Sequence, residues 1–400
     1  MSRVPAIRFK GFTDPWEQRK LGEVAKVFDG VHQTPDYVDE GVMFLSVENI
    51  GTLKSNKYIS REDYIRDYKT RPEKGDIFMT RIGDVGTSNV VKTDDELAYY
   101  VSLALIKPQM IDSFFLNSVI CSLSFQKSLR TKTLTTAVPQ KINKEEIGNI
   151  ELTYPSSLQE QLQIGTFFQQ LDSLITLHQR KYDKLCAIKK SMLDKMFPKP
   201  GELVPEIRFE GFTDPWEQRK LGEVASLLGG NAWSSKEYDP SGDYLVITIA
   251  NVTGEYEVDD SEGNRINVNG NSEYLLSHGD ILVSLTGNVG RVSRMTSTKA
   301  VLNQRVGKLS VDCDIDDEFI FQAIRDGRFL TTMETASQGA AQKNISNSDV
   351  LSFELLLPTL KEQQVVGEAL HRIDTLITLH QRKLELLKNV KKSLLDKMFV

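Results

Sequence analysis

The side chains in this sequence best suited to chemistry are amides and guanidinium groups gathered in short polar runs. Thr286, Asn288, Arg291 and Arg294 follow one another along a predicted hairpin, and Asn303, Gln304 and Arg305 stand together on the strand predicted after it. Asn, Gln and Arg carry donors and acceptors at the spacing of a base edge, so these residue types can read DNA in its major groove. The first half of the chain offers Arg81, Asn89 and Lys92, then Gln140, Lys141 and Asn143. Gln342, Lys343 and Asn344 occupy the matching place in the second half, within the small-residue stretch SQGAAQKN. Each residue taken alone has the plain alternative of a solvated loop side chain; as a set they point to a nucleic-acid face.

Catalytic groups are not visible in the same way. The sequence has no GxGxxG after a strand, no GxxxxGK[ST], no HExxH and no Asn-Pro-Pro-aromatic tetrad of the kind amino-methyltransferases use. Gly83-x-x-Gly86 and Gly287-x-x-Gly290 each lie between two strand-like runs, where paired glycines make a hairpin more readily than a phosphate cradle. The five histidines lack ligand spacing, and no metal site is expected. His178 and His380 hold equivalent places on predicted helices, where a polar residue in an apolar stripe sets register.

The elements that must carry these residues come from a duplication. GFTDPWEQRKLGEVA occurs at residues 11–25 and again, identical, at 211–225; LITLHQRK occurs at 174–181 and 376–383, and LDKMF at 193–197 and 395–399. Between these shared ends only a skeleton is kept: KGDIFMTRIGDVG at 74–86 faces HGDILVSLTGNVG at 278–290. The closing part of each half has apolar residues three and four apart, which predicts a long helix. In the first these include Phe168, Leu171, Ile175, Tyr182 and Leu185; in the second, Leu370, Ile373, Ile377, Leu384 and Leu387. Ser157-x-x-Glu160 and Thr359-x-x-Glu362 have the form of capping boxes at the helix starts. Forty helical residues make a rod of about 60 Å, and two rods with apolar stripes should pack on each other. The net charge of the two rod ends is positive, which suits either solvent or an acidic partner.

The variable middles read as mixed α and β: strands near 42–47, 76–80, 99–106 and 150–154, their counterparts near 244–249, 281–286, 301–311 and 353–357, and one helix per half near 113–129 and 317–333. The expected class is α+β, with two mixed α/β domains (1–157 and 200–359) alternating with two long helices (158–199 and 360–400) that pair as an antiparallel coiled coil with pseudo-twofold symmetry. At 400 residues, 40% hydrophobic, 26% charged and with a net charge of −6, the composition is that of a globular protein without an overall basic coat. Three cysteines argue against a disulfide framework. The opening MSRVPAIRFKGF lacks the apolar stretch of a signal peptide, so a cytoplasmic protein without a membrane span is expected.

The order PWEQRKLGEVA, a GDI segment followed by G-x-x-G, NQRVG, QK before a strand and Pro, and a helix opening with LQEQ or LKEQQ resembles the specificity subunits of type I restriction–modification systems. The resemblance runs over essentially the whole chain, twice. It implies two target-recognition domains, each reading one half of a bipartite, asymmetric DNA sequence, held apart by a helical pair that sets the spacer. It also implies two modification (methyltransferase) subunits, and restriction subunits that translocate and cut. On this view the chain catalyses nothing and binds no cofactor itself, with S-adenosylmethionine, ATP and Mg on the partners. Half-site centres would lie about one helical turn apart and no more than about 17 base pairs. The first half has Val101-Ser102-Leu103-Ala104-Leu105 where the second has Asn303-Gln304-Arg305-Val306-Gly307, so the Asn-Gln-Arg role does not transfer to it. The alternative is a divergent stand-alone DNA methyltransferase or nuclease.

Overall fold

The computed structural model describes residues 4–338 and 343–399, which fall into two compact units. One comprises residues 4–178 with 383–399, the other 179–382 without the four undescribed positions. Each unit thus holds one globule and parts of both long helices, Leu158–Met196 and Leu360–Met398.

In the first unit a four-stranded antiparallel sheet runs in the order Ala25–Asp29, Leu103–Pro108, Ile77–Ile82, Asp84–Val90. Alternate residues of a strand face opposite sides, and here both sides are covered. Ile77 and Met79 join the core formed with Phe115, Leu129 and Phe168, while Phe78 joins a second core with Phe44, Tyr64 and Tyr99. That explains why Ile77, Phe78 and Met79 are apolar without alternation. A three-stranded sheet, Tyr58–Ile59, Val42–Leu45 and Leu97–Tyr99, lies over the second core.

The second unit repeats the plan with Ala225–Gly229, Val306–Val311, Ile281–Ser284 and Val292–Arg294 in one sheet. Arg265–Ile266, Tyr244–Ile247, Ala300–Leu302 and Leu275–Leu276 form the other. In each unit the EQRK of the repeated phrase pairs with the strand that leads into a long helix, Glu17–Lys20 with Glu151–Tyr154 and Glu217–Lys220 with Glu354–Leu357.

Four expected spans are corrected, two strands and two helices. The single strand expected at 99–106 is two, because Leu103 N–H bonds to Tyr100 O at 2.9 Å and a tight turn carries the chain from one sheet to the next. The same happens at 301–311, where Val306 N–H bonds to Asn303 O at 2.9 Å, so Asn303, Gln304 and Arg305 sit in a turn and not on a strand. Finally, the helix expected at 113–129 is the pair Ser113–Ile120 and Leu123–Lys132, and that at 317–333 is Asp317–Ile324 and Gly327–Ala336. Ser122 and Asp326 accept hydrogen bonds from Phe125 N and Arg328 N, which starts a new helix at each point.

Within each unit the long helices run antiparallel. In the first, Phe168 packs on Phe399 with ring centres 5.8 Å apart, and four residues on, Asp172 meets Lys391 eight residues back. Phe168 and Leu171 are buried there, with Ile175 and Leu387 packed against the same core. In the second, Leu370 is fully enclosed with Met196 and Phe197, and Lys189 meets Asp374. Ile377 and Leu384 are buried, while Tyr182, Leu185 and Ile373 are half-buried. No helix among the described residues is long and apolar enough to cross a membrane.

Candidate nucleic-acid interface

The two glycine pairs make hairpin turns. Gly83 and Gly86 have φ of +80° and +104°, Gly287 and Gly290 of +73° and +77°, values that L side chains rarely adopt. At Gly86 a Cβ would also stand 2.5 Å from Leu129 Cδ2, and at Gly290 2.8 Å from Met333 Cβ, so each turn lies pressed against its globule's second helix.

A second loop is stitched to each turn. In the first globule Gly83 N donates to Gln140 O at 2.8 Å, the Gln140 side chain donates back to Gly83 O at 2.9 Å, and Ile142 N donates to Arg81 O at 3.0 Å. The second globule has Gly287 N to Lys343 O and Ile345 N to Leu285 O, both 2.9 Å, with Thr286 Oγ1 donating to Asn344 Oδ1 at 2.8 Å. A third loop joins from the strand-to-strand turn: Arg81 N donates to Ser102 O and Leu285 N to Arg305 O, both at 2.9 Å. These bonds make Tyr100, Val101 and Ser102 the counterparts of Asn303, Gln304 and Arg305, one residue earlier than the alignment by sequence.

The second globule therefore brings together Thr286, Asn288, Asn303, Gln304, Arg305, Lys343 and Asn344. Asn288, Gln304, Arg305, Lys343 and Asn344 are exposed, and Arg291 is exposed at the foot of the same turn, its carbonyl bonded to Ser284 N. Thr286 is buried and its hydroxyl is committed to Asn344; Asn303 accepts from Arg305 N at 3.2 Å. Gln342 lies outside the described residues. Arg294 is buried, paired with Asp317 and Glu318 and stacked on Phe321, and it faces away from solvent.

The first globule brings together Gln140, Lys141 and Asn143, all exposed. Arg81 is buried, ion-paired with Asp29 and bonded through Nε to Ile142 O at 3.1 Å, so its guanidinium is held inside the fold. Asn89 donates to Ile50 O and Gly51 O at 3.0 and 3.2 Å. Lys92 is exposed beyond Val90, which pairs with Ile77 at the end of the hairpin remote from Gly83. Arg81, Asn89 and Lys92 are accordingly not part of the loop cluster.

Polar joints that the sequence did not single out fasten each globule to its helix. Glu160 accepts from Arg8 Nε and Nη2 at 2.6 and 2.7 Å and from the Trp16 indole at 3.4 Å. Glu362 accepts from Arg208 in the same two-pronged way at 2.7 and 2.8 Å. These carboxylates were expected in capping boxes; only Ser157 keeps its part, accepting from Glu160 N at 3.4 Å. The next residue repeats the pattern: Gln161 accepts from Asp112 N at 2.9 Å and donates to Pro155 O at 2.8 Å, as Gln363 does with Asp316 N and Pro358 O, both at 2.9 Å. Gly165 and Gly367 let the capping residue of the globule's helix approach, for a Cβ would stand 2.6 Å from Asp112 Oδ1 or 2.8 Å from Asp316 Oδ1. The signal was present in the EQ common to LQEQ and LKEQQ, each four residues ahead of a glycine.

Among the described residues no group of three His, Cys, Asp or Glu side chains is placed to hold a metal ion. The arrangement fits recognition, with exposed amides and cations on loops held from below by backbone hydrogen bonds.

Comparison with known proteins agrees. The family of type I restriction modification DNA specificity domains matches twice, over residues 13–187 and 213–389. The type I restriction enzyme MjaVIII specificity subunit of Methanocaldococcus jannaschii is 24% identical over 414 residues, covering 96% of this chain and 92% of that protein. The crystal structure of the S subunit of a type I restriction–modification system from M. genitalium shares the fold, with a TM-score of 0.68, 14% identity and 99% of both chains covered. Two matched domains, two copies of one joint and two dissimilar loop clusters place this chain in the family of type I restriction–modification specificity subunits, the DNA-recognition component and not the catalytic one.

Proposed function

We propose that each globule reads one half of a bipartite, asymmetric DNA target, that the paired long helices set the gap, and that the helices dock two modification subunits. The observation that carries this is the contrast between what is repeated and what is not. The Arg8–Glu160 and Arg208–Glu362 joints keep the same residue types and the same two donor nitrogens, at distances that agree to within about 0.1 Å. The loops above them present Gln140, Lys141 and Asn143 in one unit and Asn288, Arg291, Gln304, Arg305, Lys343 and Asn344 in the other. Two copies of one partner need two equal docking surfaces, whereas two unlike half-sites need two unlike reading surfaces.

A second apolar stripe supports the docking. Leu174 and Leu177 of the first helix and Leu376 and Leu379 of the second are exposed at repeated positions in LITLHQRK, away from the helix pair's own seam. Apolar side chains repeated on an open helix face mark a protein partner. On this account S-adenosylmethionine and the methyl-transfer site belong to the modification subunits, and ATP and Mg to restriction subunits, in a cytoplasmic assembly. Mapping methylated bases made by the assembled complex tests it: two short unlike sequences at one fixed separation are expected, and a continuous or palindromic site would contradict it.

A further inference from the structure

The two long helices are joined by polar contacts that the duplication exchanges. Asp172 of the first helix pairs with Lys391 of the second, and Asp374 of the second pairs with Lys189 of the first; each member of one pair is 202 positions from its counterpart in the other. Lys189 and Asp374 are buried, their side chains 8% and 3% exposed, and Asp374 also accepts from Gln322 at 2.7 Å and Arg325 at 3.0 Å. The outer pair is half-exposed. Around them the seam is Leu, Ile, Phe and Met, with Phe197 and Phe399 seated in the two cores; the apolar contacts between discriminate among registers less sharply than a buried charge pair does.

We infer that Lys189–Asp374 and its counterpart Asp172–Lys391 lock the register of the helical pair, and so fix the gap between half-sites; this rests on the half-site reading above. The sequence shows why other registers fail. Sliding one helix along the other by a turn sets Asp374 against Leu185, Cys186, Met192 or Leu193, and by a heptad against Tyr182 or Met196. None of these carries a positive charge, so Asp374 keeps only Arg325, while Lys189 loses its carboxylate partner. A buried charge without a partner is strongly disfavoured, and specifying register is the best-attested role for a buried polar pair. The outer pair adds to this: only one of those slides offers Asp172 another cation, Lys388, and the same slide leaves Asp374 facing Cys186. A slip of one heptad moves a helix by about 10 Å, the length of about three base pairs.

The test uses the full chain assembled with its modification subunits, on DNA libraries in which only the gap varies. The unmodified chain is expected to favour one gap at least about tenfold over gaps three base pairs longer or shorter, a difference of about 1.4 kcal/mol. The variant D172L/K391L/K189M/D374N, which removes the four charges of the two pairs and leaves an amide oxygen to accept from Gln322 and Arg325, is expected to lower that preference below about threefold. Retention of the tenfold preference by this variant overturns the inference. Should it fail to assemble, D172K is compared with D172K/K391D: relaxed gap choice in the first and recovery in the second is expected, and no recovery overturns it. An unmodified complex that selects no gap at all contradicts the half-site reading itself, a distinct result.

Discussion

Arg8 and Glu160 lie 152 positions apart in the chain, yet the guanidinium grips both carboxylate oxygens at 2.6 and 2.7 Å, with the Glu160 side chain wholly enclosed. The pair ties the arm before the repeated phrase to the start of the long helix, so Arg8→Ala leaves a buried carboxylate without its cation. The expected cost is about 3 kcal/mol, seen as a lower urea midpoint of the first unit, and Arg208→Ala should act alike on the second. An unchanged midpoint would show that the joint holds nothing.

Gln304→Ala and Lys343→Ala separate two kinds of contact. The first is expected to weaken binding to one half-site by about 1–3 kcal/mol while the other is untouched. The second removes a cation next to the turn and should weaken binding to all sequences, lowering the slope of log K against log salt by about one. Titrations against specific and scrambled DNA at several salt concentrations check both; a uniform loss in Gln304→Ala would make that contact non-specific.

Arg81→Ala should behave as a core substitution. The side chain is buried with Asp29 and the Ile142 carbonyl, so removal destabilises the first unit by about 2–4 kcal/mol. Arg81→Ala that folds as the unmodified chain does but loses one half-site would instead return Arg81 to the reading face.

Lys189 gives a pH dependence. Burial, with Arg325 nearby, pulls its pKa down to about 8, below the value of about 10.4 for a free lysine. The folded state therefore binds fewer protons than the unfolded state between about pH 8 and 10.4, and stability from this group rises with pH across that window. Below pH 8 the full penalty for burying the ammonium remains. Urea unfolding from pH 7.5 to 10 is expected to show a rise of about 1–3 kcal/mol that Lys189→Met lacks; parallel curves for the two proteins contradict it.

Leu174→Asp with Leu177→Asp places charge on an exposed stripe and should leave the free chain folded while reducing capture of modification subunits from two per chain towards one. Mass measurement of the assembled complex reads this directly. Two bound subunits in the variant would remove the stripe from the docking surface.

The repeats made much of this legible. Long helices with three-and-four spacing, the glycine hairpins and the division into shared and unlike parts all follow from local pattern, and the apolar positions Phe168, Leu171 and Leu370 lie where periodicity places them. What pattern could not give was each polar side chain's direction. Arg81 looks like a DNA ligand by type and lies in the core, because Asp29 from a distant strand neutralises it. Glu160 looks like a helix cap and instead binds Arg8, since a nearby guanidinium outcompetes a single backbone N–H. The strand expected at 301–311 hid a turn because buried Leu302 and Val306 flank it closely; the break in the apolar pattern at Asn303, Gln304 and Arg305 is where the chain changes sheets.

The most direct measurement is to replace the second globule between the repeated phrase and the long helix, residues 226–353, with the corresponding segment of an unrelated family member, and to map the methylated sites of the assembled complex. One half of the recognised sequence should change, while the other half and the gap stay as they were. A change in both halves, or in neither, would contradict the assignment of reading to the globules and of spacing and assembly to the shared helices.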